Sequence, residues 1–357
     1  MSHYGISIRE LLEKNPIQSS APCRIDSGGT WDIKAMALPF EGLNPITVNI
    51  ALDLRTSVSL LPFKSGWIKV SSDTYPHQES YPLIEAPFNS PFGVFLAIAA
   101  YFMMHGVEIS IHSSSPVNAG LGGSSTAAVA TIKAFSMAKA LLNQGEIERR
   151  NILHLAYQLE DGVCGGGCGM QDQGAAVFGG VHAWSWNYSR EGSVFERETI
   201  VERKGYEGMS RRMLVAYSGR RHKSIRINRR WMKEFLCGGT RPGWIEANRI
   251  VNRLASHIRE GRWEEAAGAL RDEVAIRRKI TPEAFTTVID RLIRESEVVG
   301  CGARFAGAGG GGSVWAIGET DAIERLRGAW EDILKPTRNG KILDCAIDPD
   351  GVRAGGR

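Results

Sequence analysis

Several things are missing from this 357-residue chain, and each absence removes a class of protein. The longest apolar run, Val94 to Met104, is far short of the roughly 20 residues that cross a bilayer, so a membrane span is not expected. The segment Ile8-Arg9-Glu10-Leu11-Leu12-Glu13-Lys14 puts charges where a secretory signal needs an apolar stretch, which points to a cytoplasmic protein. Six cysteines (Cys23, Cys164, Cys168, Cys237, Cys301, Cys345) show no disulfide-framework spacing and read as reduced thiols. Cys164 and Cys168 lack a second Cys/His pair at zinc spacing, so the pattern is not that of a zinc site. There is no internal repeat and no Gly-Lys-Ser/Thr, which excludes a Walker A loop. Strong charge is also lacking. Net charge is only +4, although ten Lys/Arg and a single acid, Glu207, lie between Arg203 and Arg230. Such a run is most often a solvated face. An anionic substrate or an oligomer contact comes next, and a nucleic-acid groove last, because few aromatics interleave.

What the chain has in excess is glycine, 41 residues or about 11% against a usual ~7%. With 43% hydrophobic residues there is enough apolar surface to offset chain entropy, and the length suggests two domains. Ile46–Leu54 and Thr56–Phe63 read as two antiparallel strands, with short strands at Trp67–Val70 and Val107–Ile111. Helices are expected over Ser124–Leu142 and Asn151–Glu160, then a strand at Val181–Trp186. The basic stretch near 200–212 is the expected boundary between domains 1–205 and 206–357. Beyond it come a strand at Met213–Tyr217 and helices over 244–259, 263–279 and 282–297. The tail reads strand 303–306, glycine loop, strand 313–317, helix 321–334 and strand 342–347. Both halves are α+β.

The glycines cluster in three places. Pro116-Val-Asn-Ala-Gly120-Leu121-Gly122-Gly123-Ser124-Ser125-Thr126 runs from a strand into a helix. Its glycines let backbone approach a ligand, and the helix start supplies free N–H groups and a positive dipole end. Together these suit a polyphosphate. The serines could cap the helix, or one could ligate the magnesium that accompanies a nucleotide. The second loop, Gly307-Ala-Gly309-Gly310-Gly-Gly312, satisfies GxGxxG by letters. Ser313–Ile317 after it looks like a strand, whereas a dinucleotide fold needs a helix there. The third cluster runs from Glu160 through the glycines at 162, 165–167 and 169 to Asp172. Two carboxylates near a phosphate site can divide the labour, one holding a cation and one handling a proton.

In order and spacing from about residue 21 to 318, three segments resemble the motifs of the GHMP kinase superfamily. They are Ala21–Asp32, Pro116–Ala128 and Gly302–Gly312. Finer details (GLGGSST, Gln171-Asp172-Gln173, and Tyr217-Ser-Gly with His222, Ser224 and Asn228) resemble the branch of heptose 7-phosphate and L-fucose kinases. The resemblance implies an N-terminal domain like ribosomal protein S5 domain 2, a ferredoxin-like C-terminal domain, and a site in the cleft between them. It implies ATP and Mg2+ as cofactors. Gly120, Leu121, Gly122, Gly123, Ser124, Ser125, Gly307, Gly309 and Gly310 would bind the nucleotide, and Ser124 with Glu160 would bind the metal. Asp172 would be the catalytic carboxylate, held ionised by Arg24. Asp32, Gly29, Asn228 and Arg304 would contact the sugar.

Three features depart from the pattern: Arg24 and Asp32 are one residue closer than usual, Arg304 stands where the heptose branch has Lys, and the basic run around Arg220-Arg221-His222-Lys223 exceeds that of a neutral-sugar kinase and would suit a substrate already bearing phosphate. The implied reaction is phosphorylation of a hydroxyl, most plausibly anomeric, of a sugar or sugar phosphate, with D-glycero-D-manno-heptose 7-phosphate leading. A fucose- or galactose-type kinase, an amino-acid or isoprenoid kinase, and a non-catalytic ATP/sugar-binding regulator are the rivals. A small-molecule substrate is the expected partner, without nucleic acid or membrane, and a homodimer is left open.

Overall fold

A computed structural model describes residues 5–27, 30–73, 75–189, 192–221 and 224–355. Gly29 and the His222-Lys223 part of the basic run lie outside them. The first lobe is a mixed sheet built on two long central strands, β1 (Ile17–Ser27) and β2 (Ile46–Pro62). Around them lie β3 (Trp67–Ser72), β4 (Tyr75–Pro82), β5 (Val107–Ser113), β6 (Val181–Trp186) and β7 (Phe195–Val201). Among the described residues, four helices of eight or more residues pack in this lobe: α1 (Gly93–Phe102), α2 (Gly123–Leu141), α3 (Arg149–Cys164) and α4 (Gln171–Phe178).

The two strands expected over 46–63 are one. β2 pairs with β1 along its length, while its first half pairs with β6 and its second half with β5. Arg55, where alternation seemed to break, continues the strand. Its Nη1 pairs with Asp348, and its Nη2 donates to the Ser20 and Gly351 carbonyls at 2.8 Å each. The irregularity is a register shift opposite Pro22 and Cys23. Pro22 has no N–H for the ladder, so a bulge there costs little.

The second lobe is an antiparallel sheet in the order β9-β10-β8-β11, from β8 (Met213–Tyr217), β9 (Gly302–Phe305), β10 (Ser313–Ile317) and β11 (Lys341–Ile342). Its helices are α5 (Ser224–Leu236), α6 (Arg241–Arg259), α7 (Trp263–Ile280), α8 (Thr287–Val298) and α9 (Thr320–Leu334). The helix expected to begin at Pro282 begins later. Pro282–Ala284 is a separate 3-10 turn, and Thr286 caps α8 by accepting from the Ile289 N–H at 3.4 Å. The last expected strand is also shorter. After Ile342 the chain leaves this sheet, bridges Leu52 through Ile347, and ends on β1 as β12 (Arg353–Ala354).

Small residues set the depth of α2. Ala128, Ala130 and Ala134 of α2 are fully buried, and Ser19 on β1 donates to the Ala130 carbonyl at 2.6 Å. Enlarging one of these alanines would overpack the contact, at ~1–3 kcal/mol. The lobes share a core. Ile25, Val48 and Ile50 of the first sheet pack in one cluster with Val215, Trp315 and Ile317 of the second. The cleft above that shared core is therefore framed by both lobes.

Candidate active site

A cavity of about 340 Å³ opens in this cleft, and most of the residues singled out from sequence line it. Its floor is the start of α2. Gly122 sits in a left-handed conformation (φ 74°) as N-cap, with no side-chain cap on the helix. The N–H groups of that first turn are thus left for a ligand, and the dipole favours an anion there. Gly122 has a second duty: a Cβ at this position would meet the Asp172 carboxyl carbon at 3.2 Å. Glycine lets α4 bring Asp172, in its first turn, up to the mouth of α2.

Asp172 faces the cavity with its side chain 25% exposed. Arg24 holds it from behind: Nε and Nη2 each lie 2.7 Å from Oδ1, while Nη1 donates to the Gly120 carbonyl at 2.6 Å. Burial alone would depress the Arg24 pKa. Asp172 and Asp26 outweigh it and raise the pKa instead, so the guanidinium stays charged.

Glu160, at the end of α3, is buried on the other side of the helix start. Ser125 donates to its Oε2 at 2.6 Å and the Gln173 amide at 2.7 Å, and the Ser124 hydroxyl also hydrogen-bonds to it. Burial still raises its pKa, because those donors are neutral. Ser124 is exposed on the cavity wall. Among the described residues no group of three or more His, Cys, Asp or Glu could hold a metal alone. One carboxylate with serine hydroxyls nevertheless suits Mg2+, which takes few protein ligands and completes its shell with phosphate oxygens and water. Ser125 and Gln173 went unassigned as Glu160 partners. Gln173 stands one residue from Asp172, and only the turn of α4 shows that its amide serves Glu160.

Asp32 is 3% exposed at the opposite wall. Its Oδ2 accepts from the Gln171 N–H at 3.1 Å, and a Cβ on Gly169 would stand 1.7 Å from that same oxygen. Only glycine fits at 169. Burial and the neighbouring Asp172 charge push the Asp32 carboxyl up to about 7. Asn228, on α5, also lines the cavity, with a buried Oδ1 that has no hydrogen-bond partner. Beside it stands Arg229, unassigned by sequence reasoning although it lay in the basic run; its Nη2 donates to the Cys164 carbonyl at 3.2 Å. Elsewhere in that run Arg203, Arg211, Arg212 and Arg230 pair with Asp350, Glu207, Glu319 and Glu234. Part of the remaining wall is apolar, with Pro91, Phe92, Phe95 and Ile111, none of them expected from sequence.

Three assignments of the sequence reading do not reach the cavity. Arg304 is fully buried and is engaged by Asp26, so it cannot touch a sugar. Gly309 and Gly310 pack instead on Ala284 and Ile227 of the second lobe. A Cβ would approach those side chains to 2.6 and 2.9 Å, and both glycines have positive φ. Of that loop, Gly307 and Ala308 do line the cavity. Gly307 lies against the Gly120 carbonyl, 3.0 Å from where its Cβ would be.

An uncapped helix start, a buried acid among hydroxyls and a second acid on a guanidinium make this a phosphoryl-transfer type of cleft between two α+β lobes. Residues 89–180, which carry the α2 loop, Glu160 and Asp172, match the GHMP kinases N terminal domain. Mevalonate kinase of Thermococcus onnurineus is 25% identical over 299 residues, 75% of this chain and 81% of that protein. D-glycero-alpha-D-manno-heptose 7-phosphate kinase of Campylobacter jejuni is 32% identical over 175 residues, 46% of this chain and 49% of that one. The crystal structure of Lactococcus lactis galactokinase complexed with galactose superposes with a TM-score of 0.70 at 16% identity. That superposition covers 97% of this chain and 98% of the galactokinase. Residues 89–180 thus match the GHMP kinases N terminal domain, relatives of the chain are kinases that act on hydroxyl groups, and the chain as a whole has the fold of the solved galactokinase.

Proposed function

We propose that this chain is a GHMP kinase that transfers the γ-phosphoryl group of ATP to a hydroxyl, the anomeric one, of a sugar phosphate, with D-glycero-D-manno-heptose 7-phosphate as the leading substrate. One observation carries the reading: Asp32, Asn228 and Arg229 line the same cavity as Asp172. A carboxyl and an amide are partners for a polyol, and a guanidinium is a partner for its terminal phosphate. An L-fucose or galactose kinase would have no use for Arg229 in that place. The similarity to mevalonate kinase supports a second reading, because Arg229 would pair equally with a carboxylate substrate.

In this mechanism the first-turn N–H groups of α2 hold the phosphates, and Pro91, Phe92 and Phe95 offer an apolar surface for the base. Mg2+, when bound, neutralises charge developing between the β- and γ-phosphates. Ser124 and Glu160 would hold it. Asp172 Oδ2, the oxygen not engaged by Arg24, accepts the proton of the attacking hydroxyl late in transfer. Asp32 orients the sugar. Positioning and charge neutralisation supply most of the rate in such a loose transition state.

The test is a coupled ADP assay with ATP and Mg2+ across heptose 7-phosphate, free heptose, fucose, galactose and mevalonate. Turnover confined to the phosphorylated sugar is the expected result. Turnover of fucose or galactose alone moves the assignment to a neutral-sugar kinase, and turnover of mevalonate alone to the second reading. ADP release with none of them, despite tight ATP binding, would leave the regulator.

A further inference from the structure

Arg304, withdrawn from the substrate, belongs to a buried line of alternating charge. From the cavity inward it runs Asp172, Arg24, Asp26, Arg304, Glu273 and Arg277. Arg24 Nη1 lies 3.3 Å from Asp26 Oδ1, and Arg304 Nη1 lies 3.0 Å from Asp26 Oδ2 and also donates to the Asp26 carbonyl. Arg304 Nε is 3.3 Å from Glu273 Oε2, within ion-pair reach but not aligned as a hydrogen bond, and Glu273 is 3.6 Å from Arg277. Asp26, Glu273, Arg277 and Arg304 are at most 1% exposed. The line crosses between lobes, from β1 of the first sheet to β9 and α7 of the second. Its far end, the Arg277 guanidinium, lies 4.4 Å from the ring centroids of Trp231 and Trp244. Trp231 is on α5, the helix that also presents Asn228 and Arg229.

We propose that the Asp26–Arg304 pair is a positioning device for the phosphoryl-transfer step: by satisfying Asp26 from the second lobe, Arg304 leaves the Arg24 fork free to hold Asp172 in place. The argument is one of competition for a single guanidinium. Arg24 already serves Asp172 through Nε and Nη2 and Gly120 through Nη1. Asp26 Oδ1 is satisfied by the Gly307 N–H at 2.7 Å, but Oδ2 depends on Arg304. With Arg304 removed, a buried anion would lack a partner on that side, a state far costlier than a shifted side chain. The nearest cation able to answer is Arg24, and turning toward Asp26 withdraws it from Asp172. Because Arg304 is on the other lobe, the same pair makes the setting of the acid depend on the closed arrangement of the cleft. Lysine could keep the charge, but one ammonium cannot span Asp26 and Glu273 as a guanidinium does.

The inference rests on the proposed role of Asp172, so its test needs a readout independent of turnover. The Arg24 Nε–Hε resonance, assigned with Arg24→Lys, reports the bond to Asp172 in the protein without nucleotide. In Arg304→Met it is expected to shift and to exchange with solvent at least about tenfold faster, with Arg304→Lys intermediate, whereas Asp26→Asn, which removes the competing anion, should leave it protected and restore protection when combined with either Arg304 variant. In steady state, kcat for Arg304→Met should fall at least about tenfold while KM for ATP stays within about twofold, and Arg304→Lys should recover part of the loss. In an Asp172→Asn background the same substitution should cost nothing further, since the two act through one another. An unchanged Arg24 resonance in folded Arg304→Lys, or a loss of protection there that Asp26→Asn does not restore, overturns the proposal, as does a full additional loss in the Asp172→Asn background. Should Arg304→Met fail to fold, Arg304→Lys alone and combined with Asp26→Asn still decides. If Asp172→Asn itself turns over normally, the catalytic reading falls while the resonance still reports whether Arg304 sets Arg24.

Discussion

Two walls of the cleft hold a carboxylate each, and they are compensated in opposite ways. Asp172 rests on a permanently charged guanidinium that is itself locked by a buried acid. Glu160, about as close to the start of α2, has only two hydroxyls and an amide. The protein thus supplies the counter-charge on one side and leaves it to be supplied on the other. A wall that is already neutralised suits a group that must keep its position through the reaction. A wall with a charge deficit suits a cation that arrives with the nucleotide. Asp32 is a third case, buried without a direct ion pair among the described residues, and burial with the nearby Asp172 charge pushes its carboxyl up to about 7.

The largest effect that could break this comparison is at the compensated acid. Asp172→Asn should lower kcat about 10²–10⁴-fold with ATP affinity retained, measured by steady-state kinetics and calorimetry. Undiminished turnover would put the chemistry elsewhere. Next comes Arg229→Met, expected to raise KM for a phosphorylated sugar about 10–100-fold, the worth of ~1.5–3 kcal/mol for a charged hydrogen bond, with kcat little changed. An equal KM for free and phosphorylated sugar in wild type would remove that role. Glu160→Gln should raise the Mg2+ concentration for half-maximal rate about tenfold, or ~1.4 kcal/mol. An unmoved metal titration would mean that the neutral donors serve Glu160 for structure alone.

The effect most diagnostic of environment concerns Asp32. Its folded pKa of about 7 lies above the unfolded value near 3.8, so the folded state holds a proton that the unfolded state has released. Stability should therefore fall as pH rises from about 4 to 7, by on the order of 4 kcal/mol at most from this group. Asp32→Asn should remove that dependence, gaining on wild type at pH 8 but not at pH 4 in urea denaturation, while weakening sugar binding. Parallel stability curves for the two proteins would show that Asp32 is solvated after all.

Much of the phosphate side was legible from local sequence, because a helix start needs only residues adjacent in the chain. Gly120 to Ser125 form a contiguous turn and helix entry, and they lie where their conformational freedom implied. The strands Val181–Trp186, Met213–Tyr217 and Ser313–Ile317 likewise follow from runs of β-branched and aromatic residues. Reading failed where the deciding partner is far along the chain. Whether Arg55 breaks a strand depends on Asp348, 293 residues away. Gly309 and Gly310 look like ligand glycines until Ala284 and Ile227 are seen beneath them.

Residue type and order alone specified an α+β chain with a glycine-rich turn into a helix, suited to a polyphosphate, and two candidate acids near it. Tertiary structure decided which acid receives a fixed positive partner, which arginine faces substrate and which is sealed away. The reason is physical: backbone conformation is a property of a few successive residues, whereas the sign and strength of a buried charge's environment is set by whatever the fold packs against it. For Arg304 that is Asp26, 278 positions earlier.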